Sequence, residues 1–191
     1  MVKNVEYFSI PAESCELLLA LARKSLEKYL KNKEVIDFSA DKNSELMSFA
    51  AVFVTLTKKG ALRGCVGTTD PQYPLCEAVV RMSLAAALHD SRFFPLTLEE
   101  LPETKIEISV LSPFKKIETA GDIIPGKHGV LVQKGSRSGL FLPQVWEHFS
   151  GNNRKEEFLN ELCQQKAGLP QSAWKDPLTE LFVFTVFSFE D

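Results

Sequence analysis

Phe49-Ala50-Ala51-Val52-Phe53-Val54-Thr55-Leu56-Thr57, then Lys58-Lys59-Gly60, then Ala61-Leu62-Arg63-Gly64-Cys65-Val66-Gly67: this stretch of the 191-residue chain decides its fold. The first run is rich in β-branched and aromatic residues, the triplet after it closes on glycine, and 62–66 is again strand-like, so the stretch reads as a β-hairpin. Side chains alternate across a strand, which predicts Arg63 and Cys65 on one face. Gly64 between them lets a ligand or another backbone approach closely. An arginine beside a cysteine favours the thiolate, the reactive form.

Upstream, 11–31 reads as a helix. Pro11 suits a first turn, Leu18, Ala22, Leu26 and Tyr29 recur at helical spacing, and Glu16, Arg23, Lys24 and Lys28 fill the other sides. Residues 34–45 are polar and broken and read as a loop. Downstream, 67–74 is rich in turn residues, and 75–89 is a second helix with Leu75, Val79, Met82 and Ala86 along one stripe. Ala85-Ala86-Ala87 makes that helix slim, as close packing on a sheet requires. The stretch 90–96 has no period and reads as an ordered, partly buried loop.

Residues 105–111 alternate, with Ile106, Ile108 and Val110 on one face and Lys105, Glu107 and Ser109 on the other. Strands at 129–133 and 140–142 flank a hairpin turn. Residues 156–166 form a third helix carrying Phe158, Leu159 and Leu162, closed by Gly168 and Pro170. Residues 181–189 are apolar on both alternating faces, which predicts one strand in the centre of a sheet. With no repeat, low-complexity tract or linker, 1–191 reads as one domain. Hairpins followed by separate helices favour an α+β class, a mainly antiparallel sheet with flanking helices.

The chain carries 22 basic and 25 acidic residues, a net charge of −3. The pairs Lys58-Lys59, Lys115-Lys116 and Arg154-Lys155 are scattered through turns and read as solvated charges, which argues against a nucleic-acid partner. Cys15, Cys65, Cys76 and Cys163 form no CxxC pair and no zinc-finger spacing. Met1-Val2-Lys3-Asn4-Val5-Glu6 lacks the apolar run of a signal peptide, and no segment approaches membrane-spanning length. Free thiols fit a reducing compartment, so the expected location is cytoplasmic, with no membrane partner.

Five stretches together resemble the AMMECR domain family, including its AmmeMemoRadiSam system protein A group. Phe53-Val54-Thr55-Leu56 with Leu62-Arg63-Gly64-Cys65-Val66-Gly67 is similar to the family signature, with Val66 where isoleucine is usual. Ala85-Ala86-Ala87 through Asp90-Ser91-Arg92-Phe93-Phe94-Pro95-Leu96-Thr97 resembles a second block, although Phe94 takes the first place of a usual proline pair. Ile106-Glu107-Ile108-Ser109-Val110-Leu111-Ser112-Pro113, Gly126-Lys127-His128-Gly129-Val130 and Gly139-Leu140-Phe141-Leu142-Pro143-Gln144-Val145-Trp146 resemble the others. The tail fits as well, from Glu157-Phe158-Leu159 through Cys163 and Lys166-Ala167-Gly168-Leu169-Pro170 to Trp174. The resemblance implies an α+β domain with an antiparallel sheet and a cleft between a larger and a smaller lobe. It also implies partnership with a Memo-like protein and a radical SAM protein. It carries no reaction with it.

Each candidate site residue has a structural and a functional reading. Cys65 is either a small buried hydrophobe or a nucleophilic or redox thiol, activated by Arg63 and by His128 as base. In the first case Arg63 pairs with a carboxylate elsewhere and organises the fold. His128, in a glycine-flanked loop entering a strand, is either exposed at a cleft or bonded within its own turn. Asp90 and Arg92 form either an intraloop ion pair or, with Arg63, part of a pocket for an anionic ligand. His89 and His148 read as helix-end or solvated residues, and Lys166 as a helix-dipole partner.

Cys65, His128 and Asp90 are metal-ligand types without a compact spacing, so no metal site is expected, and the cofactor is left open. Gly64-Cys65-Val66-Gly67 lacks the Gly-Lys-Ser/Thr ending of a phosphate loop. Two functions follow. One is a thiol-dependent enzyme acting on a small anionic substrate, with Cys65 and His128 catalytic and Arg63, Asp90 and Arg92 binding substrate. The other is a non-catalytic binding or adaptor module working with the Memo-like and radical SAM proteins.

Overall fold

The computed structural model describes residues 9–36 and 46–191. Among the described residues, three α-helices and two four-stranded antiparallel sheets give an α+β architecture, as expected. The chain condenses into two units. Unit 1 holds the described residues up to Leu111 together with Phe187–Asp191, and unit 2 is Ser112–Val186.

Unit 1 begins with helix α1, Ala12–Asn32, which turns Leu18, Ala22 and Leu26 inward and ends on Lys33 in the left-handed region. The predicted loop at 34–45 falls largely on 37–45, outside the described residues. Strands β1 (Ala51–Lys58) and β2 (Ala61–Gly67) form the expected hairpin. Helix α2, Leu75–Leu88, leads through a loop and the short 3-10 turn Leu101–Glu103 into β3, Thr104–Leu111. The sheet order is β2-β1-β3-β8, with β8 at Val186–Glu190.

One sheet face is apolar, because alternation presents Val52, Val54 and Leu56 from β1 and Ile106, Ile108 and Val110 from β3 to the helices. The slim stripe of α2 meets the sheet closely: a Cβ at Gly64 would collide with the Ala86 carbonyl. At the C-terminus, the Asp191 carboxylate accepts from the Ile106 N–H at 2.9 Å and from Arg23 Nε at 2.9 Å. Arg23 also donates to the Leu101 and Thr104 carbonyls.

Unit 2 has the sheet order β4-β7-β5-β6, from β4 (Lys115–Ile117), β5 (Gly129–Lys134), β6 (Arg137–Phe141) and β7 (Glu180–Phe184). Val130, Val132, Leu181 and Val183 pack with Phe158, Leu159 and Leu162. The latter lie on α3 (Arg154–Glu161) and the wider π turn Leu162–Lys166 that extends it. Trp146 stacks on Phe158 with ring centroids 3.6 Å apart.

One reading is corrected, and one strand lies outside what the sequence pattern shows. The single strand expected at 181–189 is two strands in different sheets, β7 in the interior of one and β8 at the edge of the other. The break is Thr185, whose N–H donates to Ser112 Oγ at 2.9 Å while its carbonyl accepts the Ser112 N–H. A segment that serves two sheets in turn is apolar at successive positions without being central. Strand β4 was not read from the sequence, because three residues beginning Lys-Lys give no alternation.

Candidate functional site

Unit 1 carries Arg63, Cys65, Asp90 and Arg92, and unit 2 carries His128. In the β1–β2 hairpin Leu56 pairs with Gly64 but Thr57 pairs with Leu62, so Arg63 is the extra residue of a β-bulge. Alternation breaks there. The Arg63 guanidinium reaches Glu100, Nη2 to Oε2 at 2.9 Å and Nε to Oε1 at 3.2 Å, and Glu100 also holds Lys58 Nζ at 3.1 Å. Cys65 instead meets Thr55, with Sγ 3.1 Å from Oγ1. Thr55 and Lys58 are three residues apart on one strand and therefore on opposite faces. The expectation that Arg63 and Cys65 share a face is thus corrected, since the bulge sends guanidinium and thiol to opposite sides of the sheet.

Arg63 is a tie within unit 1. Besides Glu100 it donates to the Phe94 carbonyl at 2.9 Å and the Pro95 carbonyl at 3.4 Å, and its side chain is 15% exposed. These bonds fasten β2 to the segment following α2. The Thr97 N–H adds a further bond to Glu100 at 3.2 Å. Hydrogen bonding from Arg63, above all, holds the Glu100 carboxyl down to about 2.

Asp90 and Arg92 act on the other side of the same strand. β2 is an edge strand, and the Cys65 N–H points outward, where Asp90 Oδ2 accepts it at 2.8 Å. The Cys65 carbonyl accepts from Arg92 Nη2 at 3.4 Å. Arg92 grips Asp90 in bidentate fashion, Nη2 to Oδ2 at 2.7 Å and Nε to Oδ1 at 2.9 Å, and its own N–H caps Oδ1 at 3.1 Å. Asp90 is buried, and the bonds from Arg92 and then from Cys65 hold its carboxyl well below the usual carboxylate range. The pair covers an edge that would otherwise present bare polar groups, and it fixes the Cys65 peptide.

The thiol lies on the polar face of this sheet. Cys65 is in register with Thr55, and Thr55 with Glu107. Ser109 Oγ lies 3.2 Å from Glu107 Oε1 and 2.8 Å from Ser188 Oγ. Cys65 is half-buried, whereas Cys15, Cys76 and Cys163 are buried. Burial pushes the Cys15 and Cys163 thiols up. Sequence reasoning missed Thr55 as the partner of the thiol, and Ser188 as the partner of Ser109. Alternation had put Glu107 and Ser109 on the polar face, but joining them to Thr55 and Cys65 requires the strand order.

His128 follows a tight turn in which the Lys127 and His128 N–H groups both donate to the Ile124 carbonyl, with Gly126 at φ +80°. Its Nδ1 accepts the Ile124 N–H at 3.2 Å, and its carbonyl accepts Trp146 Nε1–H at 2.7 Å. Burial, then the Lys127 and Lys115 charges, lower its pKa, so the ring is neutral at pH 7 with its proton on Nε2. His89 caps α2 through its backbone N–H. Lys166 Nζ sits 6.0 Å above the Phe141 ring. Among the described residues, no three His, Cys, Asp or Glu side chains are grouped to hold a metal ion, and no helix is long and apolar enough to cross a membrane.

The AMMECR1 family profile matches residues 19–189. A protein of Thermococcus gammatolerans is 42% identical, the alignment covering 96% of this chain and 93% of that one, and one of Methanopyrus kandleri is 40% identical over 94% and 89%. A crystal structure of a Pyrococcus horikoshii protein, 40% identical, superposes with a TM-score of 0.82 over 96% of this chain and 94% of the other. With that coverage and the signature hairpin in place, the chain belongs to the AMMECR1 family.

Proposed function

We propose that this AMMECR1-family chain is a thiol-dependent enzyme of the cytoplasm whose functional group is Cys65, acting on a small anionic substrate. One observation carries the reading: Cys65 alone of the four cysteines is not buried, and its peptide is fixed on both sides by Asp90 and Arg92 while its sulfur meets Thr55. A nucleophile performs best when its backbone is locked by groups that do not themselves react. Asp90 and Arg92 are then positioning residues, and Arg63 supports the strand from the opposite face. The family match runs across both units, which supports treating 1–191 as one working domain.

The test is a panel of acyl and disulfide electrophiles carrying a carboxylate or phosphate, offered to the native protein and followed by peptide mass spectrometry. Adducts at Cys65 that disappear in Cys65→Ser, with the leaving group released in equal amount, are the expected result. A natively folded protein that forms no adduct at Cys65 with any member overturns the reading.

A second reading, a binding module for Memo-like and radical SAM partners, is favoured by Phe94. The residue is 90% exposed, yet its carbonyl is held by Arg63 and Leu96 two residues on is buried. A rigidly presented aromatic is the usual anchor of an interface. Capture of either partner by the wild type but not by Phe94→Ser supports this reading, and capture by both variants or neither contradicts it.

A further inference from the structure

Among the described residues, the Thr55 hydroxyl has one hydrogen-bond partner, Cys65 Sγ at 3.1 Å. A neutral thiol and a hydroxyl carry one proton each, and the contact serves with either as donor. Once the thiol has lost its proton to solvent, only the hydroxyl can donate. The competitor for that hydroxyl proton is Glu107, directly across from Thr55 on β3, a pairing that sets Cβ atoms roughly 4.5–5.5 Å apart. No hydrogen bond joins Glu107 to Thr55 among the described residues. Glu107 Oε1 instead accepts from Ser109 Oγ at 3.2 Å. Ser109 gives its one proton there and so accepts from Ser188 Oγ at 2.8 Å. Ser109 is buried, which keeps water from taking its place.

We propose that Thr55 is a catalytic residue of the thiol site, donating a hydrogen bond to the Cys65 thiolate, and that Ser109 and Ser188 are positioning residues that hold Glu107 away from the donated proton. The proposal rests on the reading of Cys65 as the functional thiol. A hydroxyl that gave its proton to Glu107 would turn only lone pairs toward the sulfur and would oppose the thiolate. With Glu107 engaged by Ser109, a donor already faces the atom on which charge forms. The other charges around the thiol are paired or exposed. At the strand edge Arg92 holds Asp90, whose bonds chiefly, and a charge on Cys65 in smaller part, favour the protonated guanidinium. On the opposite face Arg63 and Lys58 share Glu100. Lys105, on the thiol's own face and in register with Thr57, is exposed, as is His89 beside Asp90.

The test is the pH profile of Cys65 alkylation by iodoacetamide in the native full-length protein, read by peptide mass spectrometry and fitted to a midpoint and a limiting rate. Thr55→Val keeps the outline of the side chain and should raise the midpoint by about half to one pH unit, because a hydrogen bond to the charged form is lost. Below the midpoint the rate should fall about threefold to tenfold with the thiolate fraction. Thr55→Ser keeps the hydroxyl and should stay near the wild type. Ser109→Ala frees Glu107 to take the Thr55 proton and should raise the midpoint as well, and adding Glu107→Gln should reverse that rise. A role in packing alone changes the limiting rate and leaves the midpoint in place. A Thr55→Val midpoint equal to that of the wild type overturns the proposal, while the thiol reading stands as long as Cys65 reacts. Should Thr55→Val not fold, Ser109→Ala decides, and an unmoved midpoint there overturns the proposal. A Cys65 that is inert in the native wild type overturns the thiol reading itself and this proposal with it.

Discussion

Replacing Arg63 by methionine keeps the apolar stem and removes the guanidinium, and so asks whether this residue organises the fold or waits for a ligand. The structure gives it four hydrogen bonds, two to Glu100 at 2.9 and 3.2 Å and two to the Phe94 and Pro95 carbonyls at 2.9 and 3.4 Å. A net contribution of about 0.5–1.5 kcal/mol for each, more for those to a charge, gives an upper range near 4–6 kcal/mol. Two facts reduce it. The Arg63 and Glu100 side chains are 15% and 21% exposed, so water screens and replaces part of the interaction. Glu100 also keeps Lys58 Nζ and the Thr97 N–H, so the substitution does not strand a buried charge. A loss of about 2–3 kcal/mol remains.

Both tryptophans, Trp146 and Trp174, lie in unit 2, so their fluorescence is the wrong probe for a unit 1 residue. Amide exchange followed by mass spectrometry reads the correct peptides, those spanning 61–67 and 93–100. At about 1.4 kcal/mol per decade, exchange through opening of unit 1 should accelerate roughly 30- to 150-fold. Arg63→Lys, a point charge without the planar fork, should recover less than half of the loss. Exchange within about twofold of wild type in Arg63→Met would refute the tie, because four native bonds cannot be removed without cost.

Gly64→Ala places a methyl against the Ala86 carbonyl, a backbone atom that cannot rotate away, and should cost about 1–3 kcal/mol in urea unfolding followed by far-ultraviolet dichroism. An unchanged midpoint would show that α2 does not rest on this strand. Glu100 has a folded-state value of about 2, below its ordinary 4.5, so its contribution is fully present above pH 4.5 and is lost as pH falls through 2. Glu100→Gln should therefore be less stable at pH 7 and should flatten the wild-type decline between those limits. Asp90→Asn weakens the acceptor facing the Cys65 N–H and should speed exchange of that single amide about tenfold, the effect of losing a charged acceptor. No change there would remove Asp90 from its positioning role.

The hairpin was legible because β-branched residues on either side of a glycine turn leave few alternatives, and the alternation of Ile106, Ile108 and Val110 showed which face meets the helices. Local pattern failed where a residue departs from regular pairing. The bulge at Arg63 leaves no mark in composition, yet it reverses the relation between Arg63 and Cys65 that strict alternation predicts. The split at Thr185 was hidden for a similar reason, since Leu181–Val183 and Phe187–Phe189 are equally apolar and only long-range pairing with Ser112 divides them. The Asp90–Arg92 pair was foreseen as an ion pair, but its grip on the Cys65 peptide depends on α2 returning the chain to the edge of β2. Thr55 beside the thiol follows from the hairpin register, and Glu107 in register with Thr55 from strand order, which no window of sequence contains.

The central claim is that Cys65 is an accessible thiol held in a fixed peptide, and alkylation of the native protein tests it most directly. The four cysteines serve as one another's controls, with the rate at each read by peptide mass spectrometry under a single dose of iodoacetamide. Cys65 should be modified at least about tenfold faster than Cys15, Cys76 and Cys163, whose burial closes the approach to sulfur. Modification of Cys65 only after denaturant is added, at the rate of the buried three, would contradict the account and leave Cys65 a packing residue of the sheet.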